Sequence, residues 1–131
     1  MKPIIYIIDD NLVSQFATRI VMEQSQIPCT VSCFDDGEAA FNALNAAFTN
    51  NSDIPDILLL DLNMPKMDGW EFLEKFKALE YDTDKIEIFI ISSFTNSQDR
   101  NKTQENPHVA GYFEKPLSKG NLDKILLSKT R

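Results

Sequence analysis

Six polar residues stand at the ends of apolar runs: Asp9 and Asp10 after IIYII, Asp61 after ILLL, Ser92 and Ser93 after IEIFII, and Lys115 just past VAGYF. A carboxylate in such a place can cap a helix, hold a metal or act as a nucleophile, and the residue alone does not separate these. Singly, each of the six has an ordinary explanation. Asp9-Asp10 reads as a helix-capping acidic pair, the serines as loop hydroxyls and Lys115 as a solvated amine. Asp68-Gly69 is most simply a turn that starts a helix. Together they make a chemical set. Three carboxylates brought close repel one another unless a cation is present, and oxygen ligands of this kind suit a hard ion such as Mg²⁺. Mg²⁺ commonly keeps several waters and takes one or two carboxylates plus a phosphate oxygen, which points to phosphoryl chemistry. In such a site Lys115 supplies positive charge to one phosphoryl oxygen, Ser92 a hydroxyl donor to another, and Asp61 a carboxylate nucleophile able to form an acyl phosphate.

The set converges only if the apolar runs are strands of one sheet. Strand-length runs at 4–9, 30–34, 56–61, 86–92 and 109–113 alternate with helically spaced segments at 12–24, 37–48, 69–80, 95–106 and 119–129. The first, third and fourth runs are nearly continuous Ile, Leu and Phe, the composition of parallel strands covered on both faces. The helices are expected to bury one apolar side each, as Trp70, Phe72, Leu73, Phe76 and Leu79 do by their spacing. Regular βα alternation predicts an α/β domain, an open parallel sheet with helices on both faces. Ligand sites in such sheets lie beyond the carboxyl ends of the strands, where all six polar residues fall. Asn11 and Asp36 stand where N-caps are wanted, and Pro55 and Pro107 fall in connections. The segment NSQDRNKTQEN has almost no apolar face, so the fourth helix is expected to be short or loosely held.

The chain of 131 residues fits one domain, with a net charge of −7 that argues against a nucleic-acid surface and so against direct DNA binding. No run approaches the roughly 20 apolar residues a bilayer span needs, and the amino terminus lacks the pattern of a signal peptide. A cytoplasmic protein without membrane insertion is expected. Cys29 and Cys33 read as reduced, buried thiols too far apart along a strand to pair. A zinc site would need further soft ligands, and His108 is the only histidine. His108 reads as an exposed loop residue.

These motifs resemble the receiver domain of bacterial two-component response regulators. The resemblance rests on IIDDN at 7–11, DLNMPKMDGW at 61–70, ISS at 91–93 and YFEKPL at 112–117, and it covers nearly the whole chain. It implies a flavodoxin-like, doubly wound (βα)5 fold with sheet order 2-1-3-4-5, residues 1–131 forming a stand-alone receiver without an output domain. By this resemblance Asp61 is the phosphoacceptor, and Asp10, Asp61 and the backbone carbonyl of Asn63 are the Mg²⁺ ligands. Asp9 is the further acid of the metal pocket. Lys115 pairs with the phosphoryl group, Pro116 follows a cis peptide, and Ser92 and Tyr112 are the switch pair. Ser92 keeps the hydroxyl of the threonine many members have. Asn63 and Phe94 are positions that tune dephosphorylation, and the bulk of Phe94 beside the phosphoryl group predicts a long-lived phosphorylated form. The donor is a phosphohistidine on a histidine kinase or histidine phosphotransfer protein. The face carrying the fourth helix, fifth strand and fifth helix then binds a downstream protein target.

Two other classes compete. A Mg²⁺-dependent phosphatase of the haloacid dehalogenase type also uses an aspartyl nucleophile, but wants an acid two residues on, where Asn63 stands. A receiver-like module that binds partners without being phosphorylated would not need Asp61, Asp10 and Lys115 together.

Overall fold

The computed structural model describes residues 2–64, 66–93 and 97–130. Five parallel strands alternate with five helices: β1 (Ile4–Ile8), α1 (Leu12–Gln24), β2 (Thr30–Phe34), α2 (Gly37–Asn50), β3 (Ile57–Leu60), α3 (Gly69–Lys77), β4 (Glu87–Ser92), α4 (Ser97–Gln104), β5 (Val109–Glu114) and α5 (Lys119–Thr130). The sheet order is β2-β1-β3-β4-β5, the arrangement expected. The three inner strands are the apolar ones, because only they are covered on both faces.

Strand alternation divides the core in two. On one face Ile8, Leu58, Leu60, Ile88 and Ile90 pack with Ala40 and Leu44 of α2 and Phe72, Leu73 and Phe76 of α3. On the other Ile5, Ile7, Ile57, Leu59, Phe89 and Ile91 meet Met22 of α1 and Leu122, Ile125 and Leu126 of α5. The helix starts are fixed by carboxylate or amide oxygens: Asn11, Asp36 and Asp68 accept from the backbone N–H groups of Ser14, Ala39 and Glu71. Register is set in part by the strand ends themselves, since Asp9 N–H donates to the Phe34 carbonyl and Asp61 N–H to the Ile8 carbonyl, both at 3.0 Å.

Four local readings differ from the structure. Helix α3 stops at Lys77, three residues before the expected end, and Leu79 reaches the core from beyond it. His108 is half-buried rather than exposed, its ring edge-on to Phe76 at 5.2 Å. Cys29 precedes β2 instead of lying within it, and both cysteines are free and only half-buried. Burial still pushes both thiols above their ordinary range. The largest departure is α1, which buries Gln15, Thr18 and Met22 and leaves Leu12, Val13 and Phe16 exposed. Its apolar spacing does not mark its buried side.

Candidate functional site

Three strand exits aim their side chains at one point. Asp9 and Asp10 follow β1, Asp61 follows β3, and Lys115 follows β5. Lys115 Nζ lies 2.7 Å from Asp9 Oδ2 and 2.9 Å from Asp61 Oδ2, so one cation bridges two carboxylates. The backbone delivers the amine there: Lys115 N–H donates to the Ser92 carbonyl at 2.8 Å, and the Lys115–Pro116 bond is cis, as the sequence led us to expect. The remaining oxygens of the two acids are held locally. Asp9 Oδ1 accepts from Asn11 N–H at 3.0 Å, and Asp61 Oδ1 from Asn63 N–H at 3.1 Å.

Asp9 and Asp61 are buried, whereas Asp10 is exposed at the mouth. One carboxylate oxygen from each of the three lies within 4.8 Å of the others, a group that could hold a metal ion. Hard, anionic, all-oxygen donors with an open side are the set that Mg²⁺ accepts, so the residues fit the ion that the sequence implies. Burial pushes the Asp61 carboxyl above its usual range. The hydrogen bonds from Lys115 and Asn63 and the Lys115 charge draw it back without cancelling the rise, to which Asp9 adds. Burial also works against the Lys115 ammonium, but its hydrogen bonds to Asp9 and Asp61 and their negative charge outweigh that and raise its pKa. A single lysine shared between two acids leaves the pocket short of positive charge.

The loop after Asp61 doubles back closely. Gly69 N–H donates to the Leu62 carbonyl at 3.0 Å. A Cβ on Gly69 would stand 2.6 Å from the Asp61 carbonyl oxygen, so only glycine admits this approach of α3 to the strand exit. Asn63 is exposed on that loop. Ser92 ends β4 fully buried, and Tyr112 lies half-buried on β5, in register with Ile90. The guanidinium of Arg100 sits 5.4 Å from the centre of the Tyr112 ring. Phe94, assigned a tuning position from the sequence, lies outside the described residues.

Sequence reasoning missed one member of this neighbourhood. Gln15 of α1 is buried, and its amide donates to the Asp9 carbonyl and to Asp35 Oδ1. The available signal was a polar residue six positions after Asp9 on the side of α1 that turns inward, which the exposed apolar residues of that helix disguise.

A doubly wound five-stranded parallel sheet with an acidic cluster and a lysine at its carboxyl edge is the architecture of a receiver domain. The chain matches the response regulator receiver domain over residues 5–127, and it belongs to that family. Among curated relatives it is 30% identical to the probable methanogenesis regulatory protein FilR2 of Methanothrix harundinacea, over 88% of this chain and 73% of that one. Among solved structures, a two-component response regulator from Cytophaga hutchinsonii is 25% identical with a TM-score of 0.90, covering 99% of this chain and 98% of the other. The phosphorylated cyanobacterial phytochrome response regulator RcpA is 27% identical with a TM-score of 0.78, covering 98% and 91%.

Proposed function

We propose that this receiver domain accepts a phosphoryl group on Asp61 from a phosphohistidine of a kinase or phosphotransfer protein and signals through the face formed by α4, β5 and α5. The observation that carries the reading is the convergence of Asp9, Asp10, Asp61 and Lys115 from three separate strand exits. The phosphorylated state of RcpA, a protein of the same fold, supports it. Asp61, like Asp9, is buried with Lys115 Nζ against one oxygen, and of the two it is Asp61 that opens the DLNMPKMDGW stretch on which the resemblance to phosphorylated receivers rests. Its oxygen forms the new bond to phosphorus, the P–N bond breaks, and the electron pair leaves with the donor imidazole. Lys115, already between Asp9 and Asp61, follows the added charge and exchanges a carboxylate partner for a phosphoryl oxygen.

Asp9, Asp10 and Asp61, with the Asn63 carbonyl, would hold Mg²⁺. That ion neutralises charge on the transferring phosphoryl oxygens when bound. The Ser92 hydroxyl and the Tyr112 ring are the elements that carry the change to β5 and α4. The donor's approach is also physically constrained. The exposed Val13 of α1 lines a groove of about 380 Å³ together with Ala17, Val21, Lys115, Pro116 and Leu117, so a donor reaching Asp61 past Lys115 covers apolar surface on α1.

The test is transfer from a phosphohistidine-bearing donor domain to the purified chain. Mg²⁺-dependent transfer, abolished by Asp61→Asn and slowed by Val13→Ser, is the expected result. Label retained on Asp61→Asn removes the assignment of Asp61, and steady turnover of phosphomonoesters supports a phosphatase instead.

A further inference from the structure

The three acids of the pocket differ in what aims them. Asp9 is held by Lys115 Nζ and Asn11 N–H, and Asp61 by Lys115 Nζ and Asn63 N–H. Asp10 is exposed, and its carboxylate has no hydrogen-bond or ion-pair partner among the described residues, so its direction is set by the backbone that carries it. The peptide joining Asp9 to Asp10 is the one that Gln15 holds. Gln15 is only 7% exposed, and its Nε2 donates to the Asp9 carbonyl, to Asp35 Oδ1 at 2.9 Å and, at the limit of bonding, to the Phe34 carbonyl at 3.5 Å. An amide has two hydrogens, so these three acceptors share them.

The same turn is tied from the other side, because Asp9 N–H donates to the Phe34 carbonyl at 3.0 Å. Gln15 and this backbone bond together lock the exit of β1 to the exit of β2. The Asp9–Asp10 peptide plane is fixed, and with it the line along which the Asp10 carboxylate leaves the chain. An apolar side chain at position 15 fills the same space but leaves the Asp9 carbonyl and the Asp35 carboxylate without their shared donor.

We propose that Gln15 is a positioning residue for the metal pocket, acting through the Asp9 carbonyl to aim Asp10 at the ion. This rests on the reading of Asp9, Asp10 and Asp61 as a Mg²⁺ site. Groups that orient ligands from behind typically change metal affinity by roughly 10- to 100-fold when removed.

The experiment is calorimetric Mg²⁺ titration of wild type, Gln15→Met, Asp10→Asn and the double variant, at a temperature where circular dichroism shows each folded. If Gln15→Met does not fold, Gln15→Asn draws the amide back by one methylene and takes its place. The expected result is binding about 10-fold or more weaker in the Gln15 variant, with no further loss when that change is added to Asp10→Asn. A Gln15 variant that binds Mg²⁺ within about twofold of wild type overturns the proposal alone, as does a loss that adds fully to that of Asp10→Asn. Wild-type protein that binds no Mg²⁺, or an Asp10→Asn variant that binds as wild type does, overturns the metal reading and the proposal with it.

Discussion

Helices α3 and α4 each follow a strand that ends at the site, yet different forces hold them. Helix α3 sinks Phe72, Leu73 and Phe76 into the core at no more than 2% exposure. Each such side chain contributes roughly 1.5–3 kcal/mol of apolar burial. Helix α4 reads SQDRNKTQ and has no apolar residue. Thr103 is buried with its hydroxyl donating to the Arg100 carbonyl at 2.8 Å. The cations lie on rings: Lys102 Nζ is 4.2 Å from the centre of Trp70, and Arg100 covers Tyr112. Contacts of that kind are worth about 0.5–1 kcal/mol each at exposed positions. The rings are not random anchors, since Trp70 follows the glycine that abuts Asp61 and Tyr112 lies on the strand that leads to Lys115. The contrast separates a helix anchored by buried rings from one anchored by cation–ring contacts and a single buried hydroxyl.

Removing a ring from the scaffold has the largest expected effect. Phe72→Ala is expected to lower unfolding stability by about 3–5 kcal/mol in urea titration. A loss below about 1 kcal/mol would dissolve the contrast between the two helices. Next comes the ion: at a concentration 100 times its dissociation constant, Mg²⁺ should stabilise the wild type by about 2.7 kcal/mol. Asp10→Asn should show a much smaller gain at the same concentration.

Asp61 sets a pH-dependent term. Burial raises its folded pKa above its unfolded value near 4, so its favourable contribution is complete below that value and is lost as pH rises through the folded pKa. Asp61→Asn is therefore expected to raise the melting temperature at neutral pH, with the advantage closing as the solution is acidified toward about pH 4. An advantage that grows on acidification would reverse the sign of the burial argument. The smallest effect belongs to α4. Lys102→Met should leave global stability nearly unchanged while raising amide exchange in α4 by about two- to fivefold, the equivalent of about 0.5–1 kcal/mol of local opening. Equal protection in both proteins would show that the Trp70 contact does not hold the helix.

The architecture was legible because the inner strands ILLL and IEIFII admit only burial on both faces, and because Asp36 and Asp68 announce helix starts. The pocket was legible because its acids and lysine sit at the ends of those same runs. Helix α1 was not, since Leu12, Val13 and Phe16 are exposed while Gln15 turns inward with Met22. Periodicity reports which residues avoid water in most helices, but apolar residues left exposed carry the same pattern. The early end of α3 escaped for a related reason: Leu79 is apolar at helical spacing, yet it joins the core from the chain beyond the cap.

The most direct test of the account is to locate the phosphoryl group. After incubation with a small-molecule phosphodonor, peptide mass spectrometry should find the adduct on Asp61 in the segment LLLDLNMPKMDGW, only when Mg²⁺ is present and not in Asp61→Asn. An adduct on any other residue, or one that forms equally without Mg²⁺, would contradict the claim that Asp9, Asp10, Asp61 and Lys115 work as one phosphoacceptor site.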